Sequence, residues 1–294
     1  DVPARNGCKR EKNFLEKYIF NGSSDSAPYA FNVICMSPSS HAKWLLEGGF
    51  ELSIGRFSIG AWFWETSRWP EPWSVLLRFV DSAWPDSELI KSALEKDCMN
   101  AGVVLRRMPF PAEICNLETF FVDDCRSRFR VRYGLPVDKI IFIFGFDVKS
   151  RLERKNPIAC IRVFNQAFGD PSSDQYRDDV CLVIKSFKPQ RESREWNNLV
   201  EAVACDSRIF LISESLERED LLCLYASCDV FLSLHRSEGY GLGIAEALQL
   251  GLRVVVTGYG GNVDFCSSPF AYIVDSQLVR IGRGAYPFAD DHYW

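Results

Sequence analysis

The sequence has no long hydrophobic run. None of its 294 residues lies in an apolar stretch approaching the roughly 18 residues that a membrane-spanning helix needs. The charged opening, Asp1 to Arg5, is not followed by the apolar core of a signal peptide. We therefore expect a cytoplasmic protein, and peripheral association with a membrane surface stays open.

The sequence also lacks an excess of charge of one sign. Its 34 lysines and arginines and 39 aspartates and glutamates give a net charge of −5, and both signs are mixed along the chain. A nucleic-acid-binding protein usually concentrates basic residues on one face or in one segment. We therefore expect no nucleic-acid partner.

Metal-binding signatures are missing as well. The eleven cysteines are scattered without a C-x-x-C pair, and the three histidines, His41, His235 and His292, are far apart in sequence. Structural zinc sites normally take their ligands from such clusters. Most cysteines lie in apolar runs, as Cys181 does, which is typical of buried free thiols in a reducing compartment. We expect free thiols and no metal.

The chain has enough apolar residues and enough length for two α/β domains. Its hydrophobic fraction is 47%, and domains usually contain roughly 100 to 200 residues. The predicted boundary separates residues 1–112 from residues 113–294. The first unit is less regular, and its predicted elements are strands at Phe31–Met36 and Ser58–Phe63 and helices at Trp73–Phe79 and Ser87–Lys96. The segment Val103–Pro111 is predicted to be a strand that runs into a stiff linker. A helical stretch, Asn116–Tyr133, is expected to bridge to the second unit.

The second unit alternates short β-branched runs with helical patterns, which predicts a doubly wound parallel sheet covered on both faces. The predicted strands are Ile140–Phe146, Val180–Phe187, Arg208–Ile212, Val230–Leu234, Val254–Thr257 and Ala271–Val274. The predicted helices are Pro157–Phe168, Glu192–Ala204, Arg218–Ser227 and Leu242–Leu250. Pro157 suits the first helical turn, where its missing N–H is no loss.

A glycine-rich loop follows the fourth predicted strand of this unit. Gly239, Gly241 and Gly243 lie between the strand and the next helix. Glycines allow close approach of a ligand to the backbone, and a helix start favours an anion such as phosphate. A plain strand-to-helix connection also explains the glycines. A dinucleotide fingerprint fits poorly, because it belongs after the first strand of such a sheet.

Two glutamates flank this loop at a spacing of eight residues. Glu238 precedes the glycines and Glu246 lies about one turn inside the helix. A carboxylate can accept hydrogen bonds from both hydroxyls of a ribose. The alternative for Glu246 is interaction with the helix dipole alone.

The segment from Glu238 to Glu246 resembles the E-x7-E motif of retaining GT-B glycosyltransferases of family 4. Further landmarks of this family are matched by Ala61 to Glu65 with Trp69-Pro70, Asp81 to Ser87, Phe146-Asp147, Arg154 to Pro157, Val183 to Lys185, Ser233 to Gly239 and Thr257 to Asn262. The resemblance covers nearly the whole chain. It implies two Rossmann-like domains that face a cleft, with residues 1–112 on the acceptor side and 113–294 binding the donor.

The resemblance implies roles for individual residues. Glu246 holds the ribose, Glu238 contacts the donor sugar near the reacting carbon, and Lys155 clamps the diphosphate. The family's arginine usually lies five residues before this lysine, where this chain has Ser150, so Arg151 and Arg154 are the candidate substitutes.

Other residues around the motif are further donor-binding candidates. The candidates are Lys185, His235, Arg236, Gly239, Tyr240, Gly241, Leu242 and Asn262. Each has an ordinary structural alternative: Lys185 could end its strand in solvent, His235 and Arg236 could pack, and Asn262 could form a turn. On the acceptor side, His41 is more simply a loop histidine, Glu65 could face the cleft, and the tryptophans are mostly expected in the core.

The reaction implied is transfer of a sugar from a nucleoside diphosphate sugar to a saccharide or glycolipid acceptor, with retention. No cofactor and no metal are expected, and the chain has no D-x-D triplet, the metal-nucleotide motif of the other main glycosyltransferase fold. Compared with the family, both ends look trimmed: the first strand with its glycine-rich loop and the closing helix are not found. Two alternatives stay open: an inactive sugar-nucleotide-binding module, and a glycoside hydrolase using both glutamates.

Overall fold

A computed structural model describes residues 29–121, 123–187, 189, 193–267 and 269–294. The expectations about the first residues of the chain lie outside this part. The described residues form two parallel β-sheets, one of four strands and one of six. The predicted α/β class is therefore confirmed.

The first sheet has the strand order β1-β2-β3-β4. The strands are β1 Phe31–Met36, β2 Phe57–Trp62, β3 Ser82–Ala83 and β4 Val104–Leu105. The helices are α1 Pro38–Leu46 and α2 Glu88–Ala101, with 3-10 helices at Gly49–Ser53 and Glu71–Phe79. In the segment Val103–Pro111, the strand covers only Val104–Leu105 before the predicted linker. The predicted helix Trp73–Phe79 lies within a 3-10 helix, Glu71–Phe79. Neither α1 nor β3 was predicted.

The second sheet has the order β10-β9-β8-β5-β6-β7. Its strands are β5 Ile140–Gly145, β6 Val180–Lys185, β7 Ile209–Ile212, β8 Val230–Ser233, β9 Arg253–Thr257 and β10 Ala271–Val274. Its helices are α4 Leu152–Lys155, α5 Pro157–Phe168, α6 Arg194–Ala204, α7 Arg218–Ala226 and α8 Leu242–Gln249, preceded by α3 Asp123–Arg132. All pairings are parallel, so the doubly wound prediction is confirmed.

The order of the second sheet determines where a ligand can bind. β5 and β8 are neighbours at its centre although they are far apart in sequence. The loops after their carboxyl ends, which carry Lys155 and Glu238, are therefore side by side. Ligands of open α/β sheets bind in the crevice at such a point.

The chain returns to the first sheet at its end. Ile281, Tyr286, Ala289 and Trp294 are buried with the residues of the first hydrophobic core. Arg280 and Tyr293 form an antiparallel bridge within this return segment, residues 279–294. The predicted helical bridge Asn116–Tyr133 is confirmed in part, since a 3-10 helix, Leu117–Phe121, and α3 lie between the two sheets.

The cysteines differ in part from expectation. The nine cysteines whose side chains the structure describes are free, and five of them are buried. Cys35, Cys115 and Cys205 are exposed, because each lies at the solvent-facing side of its element or in a loop.

His41 was expected in a loop, but it is a core residue of the first unit. It lies on α1, fully buried, and its Nδ1 accepts a hydrogen bond of 3.0 Å from Trp62 Nε1. Burial lowers the pKa of His41 from its ordinary value of 6.5 to about 4. The folded state therefore keeps this imidazole neutral.

Acid should destabilise the fold through His41. His41 takes up a proton near pH 6.5 in the unfolded chain and only near pH 4 in the folded chain. The contribution of His41 to stability is therefore complete above pH 6.5 and is lost as the pH falls from 6.5 to 4. The loss reaches about 3 kcal/mol, from ~1.36 kcal/mol per pH unit. Urea unfolding at pH 7 and pH 4.5, compared with His41→Gln, checks this. Equal pH dependence in both proteins would contradict it.

Candidate functional site

A cavity of about 520 Å³ opens at the carboxyl ends of the central strands of the second sheet. Six of the predicted site residues line it: Lys155, Lys185, Glu238, Gly241, Leu242 and Glu246. Sequence reasoning missed the lining residues Phe187, Leu216 and Arg218. Gly243 of the glycine-rich loop and Asp147 of the family landmarks line the cavity as well. Ser150, at the position of the family's usual arginine, lines it too.

Glu238 is a buried carboxylate held by two cations. One carboxylate oxygen, Oε1, accepts a short hydrogen bond from Lys155 Nζ, and the other, Oε2, lies 3.2 Å from Arg154 Nη1. Burial alone would raise the pKa of Glu238, but the charges of Lys155 and Arg154 outweigh it and lower the pKa to about 2. Glu238 is therefore ionised at neutral pH and weakly basic.

Local backbone geometry places Lys155 beside Glu238. The short helix α4 begins after Arg151, which has a φ of +67°, and ends at Asn156 in the left-handed region with a φ of +54°. The Asn156 side chain donates a hydrogen bond of 2.9 Å to the carbonyl of Leu234, at the end of β8. This bond ties the loop that carries Lys155 to the strand that leads to Glu238.

The glycine-rich loop presents a helix start to the cavity. Gly241 caps α8 with a φ of +93°, a conformation that glycine adopts without strain. Gly241, Leu242 and Gly243 line the cavity. Since the first N–H groups of a helix have no partner within it, this end suits an anionic ligand.

Glu246 lies deeper in the same cavity and is paired with an arginine. Its side chain is 4% exposed, and its Oε1 lies 2.5 Å from Nη2 of Arg218, the first residue of α7. The cavity wall beyond this pair is apolar, formed by Leu216 and Phe187. The cavity thus has a charged region next to an apolar one.

Lys185 is a buried residue that organises the cavity wall. Its Nζ donates hydrogen bonds of 2.7 Å to the carbonyls of Ser186 and Glu214 and lies 4.6 Å from the centre of the Phe187 ring. These contacts fix the ends of β6 and β7 together. The alternative of a solvent-facing lysine is excluded, because Lys185 is buried.

His235 and Asn262 lie behind the cavity and do not line it. His235 Nε2 is 3.0 Å from the carbonyl of Tyr259 and 3.1 Å from Asn262 Oδ1, and its Nδ1 is 3.0 Å from Ser233 Oγ. Asn262 donates a further bond of 2.9 Å to the carbonyl of Thr257. Burial lowers the pKa of His235, so a neutral imidazole joins β8 to the turn after β9.

Arg154 does not line the cavity either, because its side chain is bound to Glu238 on the side away from the cavity. Its guanidinium is buried, donates a bond of 2.7 Å to the carbonyl of Ser237 and lies 3.9 Å from Glu65 Oε1. Glu65 also accepts from the Tyr286 hydroxyl, and its carbonyl accepts from Ser237 Oγ. Arg154 therefore links the first unit to the loop of Glu238.

Three other predicted residues lie at the rim or the domain interface. Arg151 is exposed. Arg236 is 3.7 Å from Glu153 and lies over the Trp294 ring. Tyr240 packs between Phe110 and Phe265. None of them lines the cavity, so their donor-binding roles stay predictions.

Gly239 faces the first unit rather than the cavity. A Cβ at this position would overlap with the backbone oxygen of Trp64. Close contact between the glycine-rich loop and the first unit therefore requires glycine here. A side chain would push the two units apart.

Gly239→Ala should lower the free energy of unfolding by about 1 to 3 kcal/mol, because the extra methyl has no space. Gly282→Ala is the matched control, since a Cβ there meets nothing nearer than Ala285 Cβ at 4.0 Å. Urea unfolding of both variants decides the point. Equal stability of the two would show that the loop has room for a side chain.

The described ranges contain no cluster of metal-ligating side chains. Nor does any helix in these ranges have the length and apolarity needed to cross a bilayer.

The resemblance predicted from the motifs is confirmed by comparison with known proteins. Residues 149–276 match the family described as Glycosyl transferases group 1. No curated protein sequence matches the chain.

Solved structures with the same fold include several glycosyltransferases. Because their sequence identity to this chain is low, the structural similarity is evidence for the fold alone. Sucrose-phosphate synthase of Thermosynechococcus elongatus has a TM-score of 0.63 at 17% identity, over 86% of this chain and 62% of its own. HepE of Anabaena, in complex with UDP and glucose, has a TM-score of 0.61 at 15% identity, over 84% of this chain and 64% of its own. A trehalose 6-phosphate synthase of Burkholderia multivorans has a TM-score of 0.62 at 13% identity, over 94% of this chain and 63% of its own. The chain thus spans less than two thirds of the length of each of these structures.

Proposed function

We propose that this chain, whose residues 149–276 match glycosyl transferases group 1, transfers a sugar from a nucleoside diphosphate sugar to a saccharide or glycolipid acceptor. The reaction proceeds with retention and needs neither a metal nor a cofactor. The observation that supports it best is the cavity that brings Lys155, Glu238, Glu246 and the start of α8 together.

The cavity has a suitable group for each part of the donor. The α8 start and Lys155 suit the diphosphate, Glu246 suits the ribose hydroxyls, and Phe187 with Leu216 offers an apolar wall for the base. HepE of Anabaena, which has the same fold, was solved with UDP and glucose. A uridine nucleotide is therefore the first donor to try.

Positive charge near the diphosphate would drive the chemistry. Breaking the bond between the sugar carbon and its phosphate oxygen places negative charge on the departing diphosphate. Preorganised donors stabilise that charge, each by roughly 3 to 4 kcal/mol. Lys155 and the amides of Gly241 to Gly243 supply such donors from this chain.

Retention follows without a protein nucleophile. Both oxygens of Glu238 are engaged by cations, and its low pKa of about 2 makes it a weak base and a weak nucleophile. The acceptor hydroxyl then attacks from the face that the diphosphate leaves, and the leaving phosphate takes its proton. Glu238 stabilises positive charge on the sugar.

The same features argue against a glycoside hydrolase. That mechanism needs one carboxyl protonated at working pH to serve as acid. Glu238 is ionised and therefore has no proton to donate. Glu246 is paired with Arg218 instead of facing a second free carboxyl.

Calorimetric titration with UDP, GDP and ADP tests the proposal and identifies the base. We expect one nucleotide to bind selectively with EDTA present, and Glu246→Gln to weaken it by about 10- to 150-fold, since a hydrogen bond to a charged group contributes about 1.5–3 kcal/mol. The exposed Glu219→Gln is the matched control and should bind as the unmodified protein does. Failure of all three nucleotides to bind would refute the proposal, and binding without sugar transfer would leave the binding-module alternative.

A further inference from the structure

Glu246 is paired with a residue from a different part of the chain. Arg218 begins α7, after β7, whereas Glu246 belongs to α8, after β8. Their closest atoms, Arg218 Nη2 and Glu246 Oε1, are 2.5 Å apart. Arg218 is 31% exposed at the cavity, while Glu246 is only 4% exposed.

This carboxylate needs an electrostatic partner. Its neighbours on α8, Ile244, Ala245 and Ala247, are buried and apolar. Burying an unpaired charge is costly. The nearby Lys155 is engaged with Glu238, and Arg218 provides the positive charge for Glu246.

The pairing leaves one carboxylate oxygen for a ligand. Oε1 is inaccessible to solvent and lies against Arg218, whereas the residue as a whole still lines the cavity. Oε2 is therefore the oxygen that can face the cavity. An arginine that holds Oε1 fixes the direction of Oε2.

We propose that Arg218 is a positioning residue that orients Glu246 to accept hydrogen bonds from the ribose hydroxyls of the donor. The inference rests on the proposed function. Arg218 acts through Glu246, so its effect is confined to ligands that carry those hydroxyls. A direct contact with phosphate or base would affect every nucleotide equally.

Deoxygenated nucleotides separate these cases. We would titrate UDP and 2′,3′-dideoxy-UDP, or the GDP or ADP pair if that base is preferred, into the unmodified protein, Arg218→Gln and Arg218→Lys. The unmodified protein should prefer the ribonucleotide by about 10-fold or more, the value of one to two hydrogen bonds to a charged group. Arg218→Gln should lose most of this preference and change dideoxynucleotide affinity by less than about 2-fold, and Arg218→Lys should regain part of the preference.

A double-variant comparison sharpens the test. Because both residues act as one unit, Arg218→Gln should add little to the loss already caused by Glu246→Gln. Thermal unfolding shows whether each variant is folded. If Arg218→Gln does not fold, Arg218→Lys, which keeps the positive charge, replaces it in the comparison.

Two results would overturn the inference while leaving the proposed function intact. One is an equal loss of affinity for both nucleotides in Arg218→Gln, and the other is an unchanged preference for the ribonucleotide. Absence of any nucleotide binding in the unmodified protein would instead refute the proposed function, and the inference with it.

Discussion

Lys155→Ala is expected to lower the turnover of the nucleoside diphosphate sugar by about 100- to 1,000-fold, as loss of one preorganised donor to a developing negative charge typically does. Lys155 lines the cavity and bonds Glu238. Ser150 replaces the family's usual arginine in this chain, and Arg154 is engaged behind Glu238. Lys155 is therefore left with a larger share of the diphosphate's charge.

Release of the nucleoside diphosphate from the donor sugar measures this effect. Lys149→Ala is the matched control, because Lys149 lies six residues earlier and is exposed. It should keep turnover within about 2-fold, as expected of a surface change. If Lys155→Ala loses less than about 5-fold, the diphosphate does not bind at this lysine.

Arg154→Met is expected to lower the free energy of unfolding by about 3 to 5 kcal/mol, the usual cost of removing one partner from a buried ion pair. The substitution leaves the buried carboxylate of Glu238 with one cation and the carbonyl of Ser237 without its 2.7 Å hydrogen bond. It also removes the cation that faces Glu65 in the first unit. The variant should therefore be less stable, and the side chain of Glu238 should be held less firmly.

Urea unfolding checks the stability, with Arg236→Met as the control. Arg236 is 37% exposed, and its pair with Glu153 spans 3.7 Å. Its loss should change stability by no more than about 0.5 kcal/mol. Equal effects of the two substitutions would mean that the network around Glu238 does not support the fold.

The second sheet could be predicted from the sequence because its strands are continuous apolar runs. β6 is buried at all six positions, which removes any ambiguity about which face packs. Helix α5 begins at Pro157 and ends at Phe168, as predicted. The first sheet was harder, since β3 and β4 have two residues each and so carry little periodicity.

The cavity could be predicted in part. Glu238 and Glu246 follow from the motif and from the rule that ligands bind at the carboxyl ends of strands. Lys155 follows from the family resemblance. Arg218 could not be found in this way, because its partner Glu246 lies in a different βα unit and only the packing of α7 near α8 brings them together. Arg154 was a candidate for the diphosphate, but its position on α4 directs it to Glu238 and Glu65.

The contacts between the units were not predictable either. Tyr286 and Trp294 pack on the first core, and the hydroxyl of Tyr286 donates to Glu65. No local pattern marks these residues as partners, since 221 positions separate Tyr286 from Glu65. Such contacts depend on the final arrangement of both sheets.

A crystal structure of the chain with UDP, or with whichever nucleotide titration selects, tests the central claim most directly. We expect the diphosphate beside Lys155 and the start of α8, the ribose hydroxyls on Glu246, and the base against Phe187 and Leu216. A nucleotide bound elsewhere, or an empty cavity at saturating nucleotide, would contradict the proposed donor site.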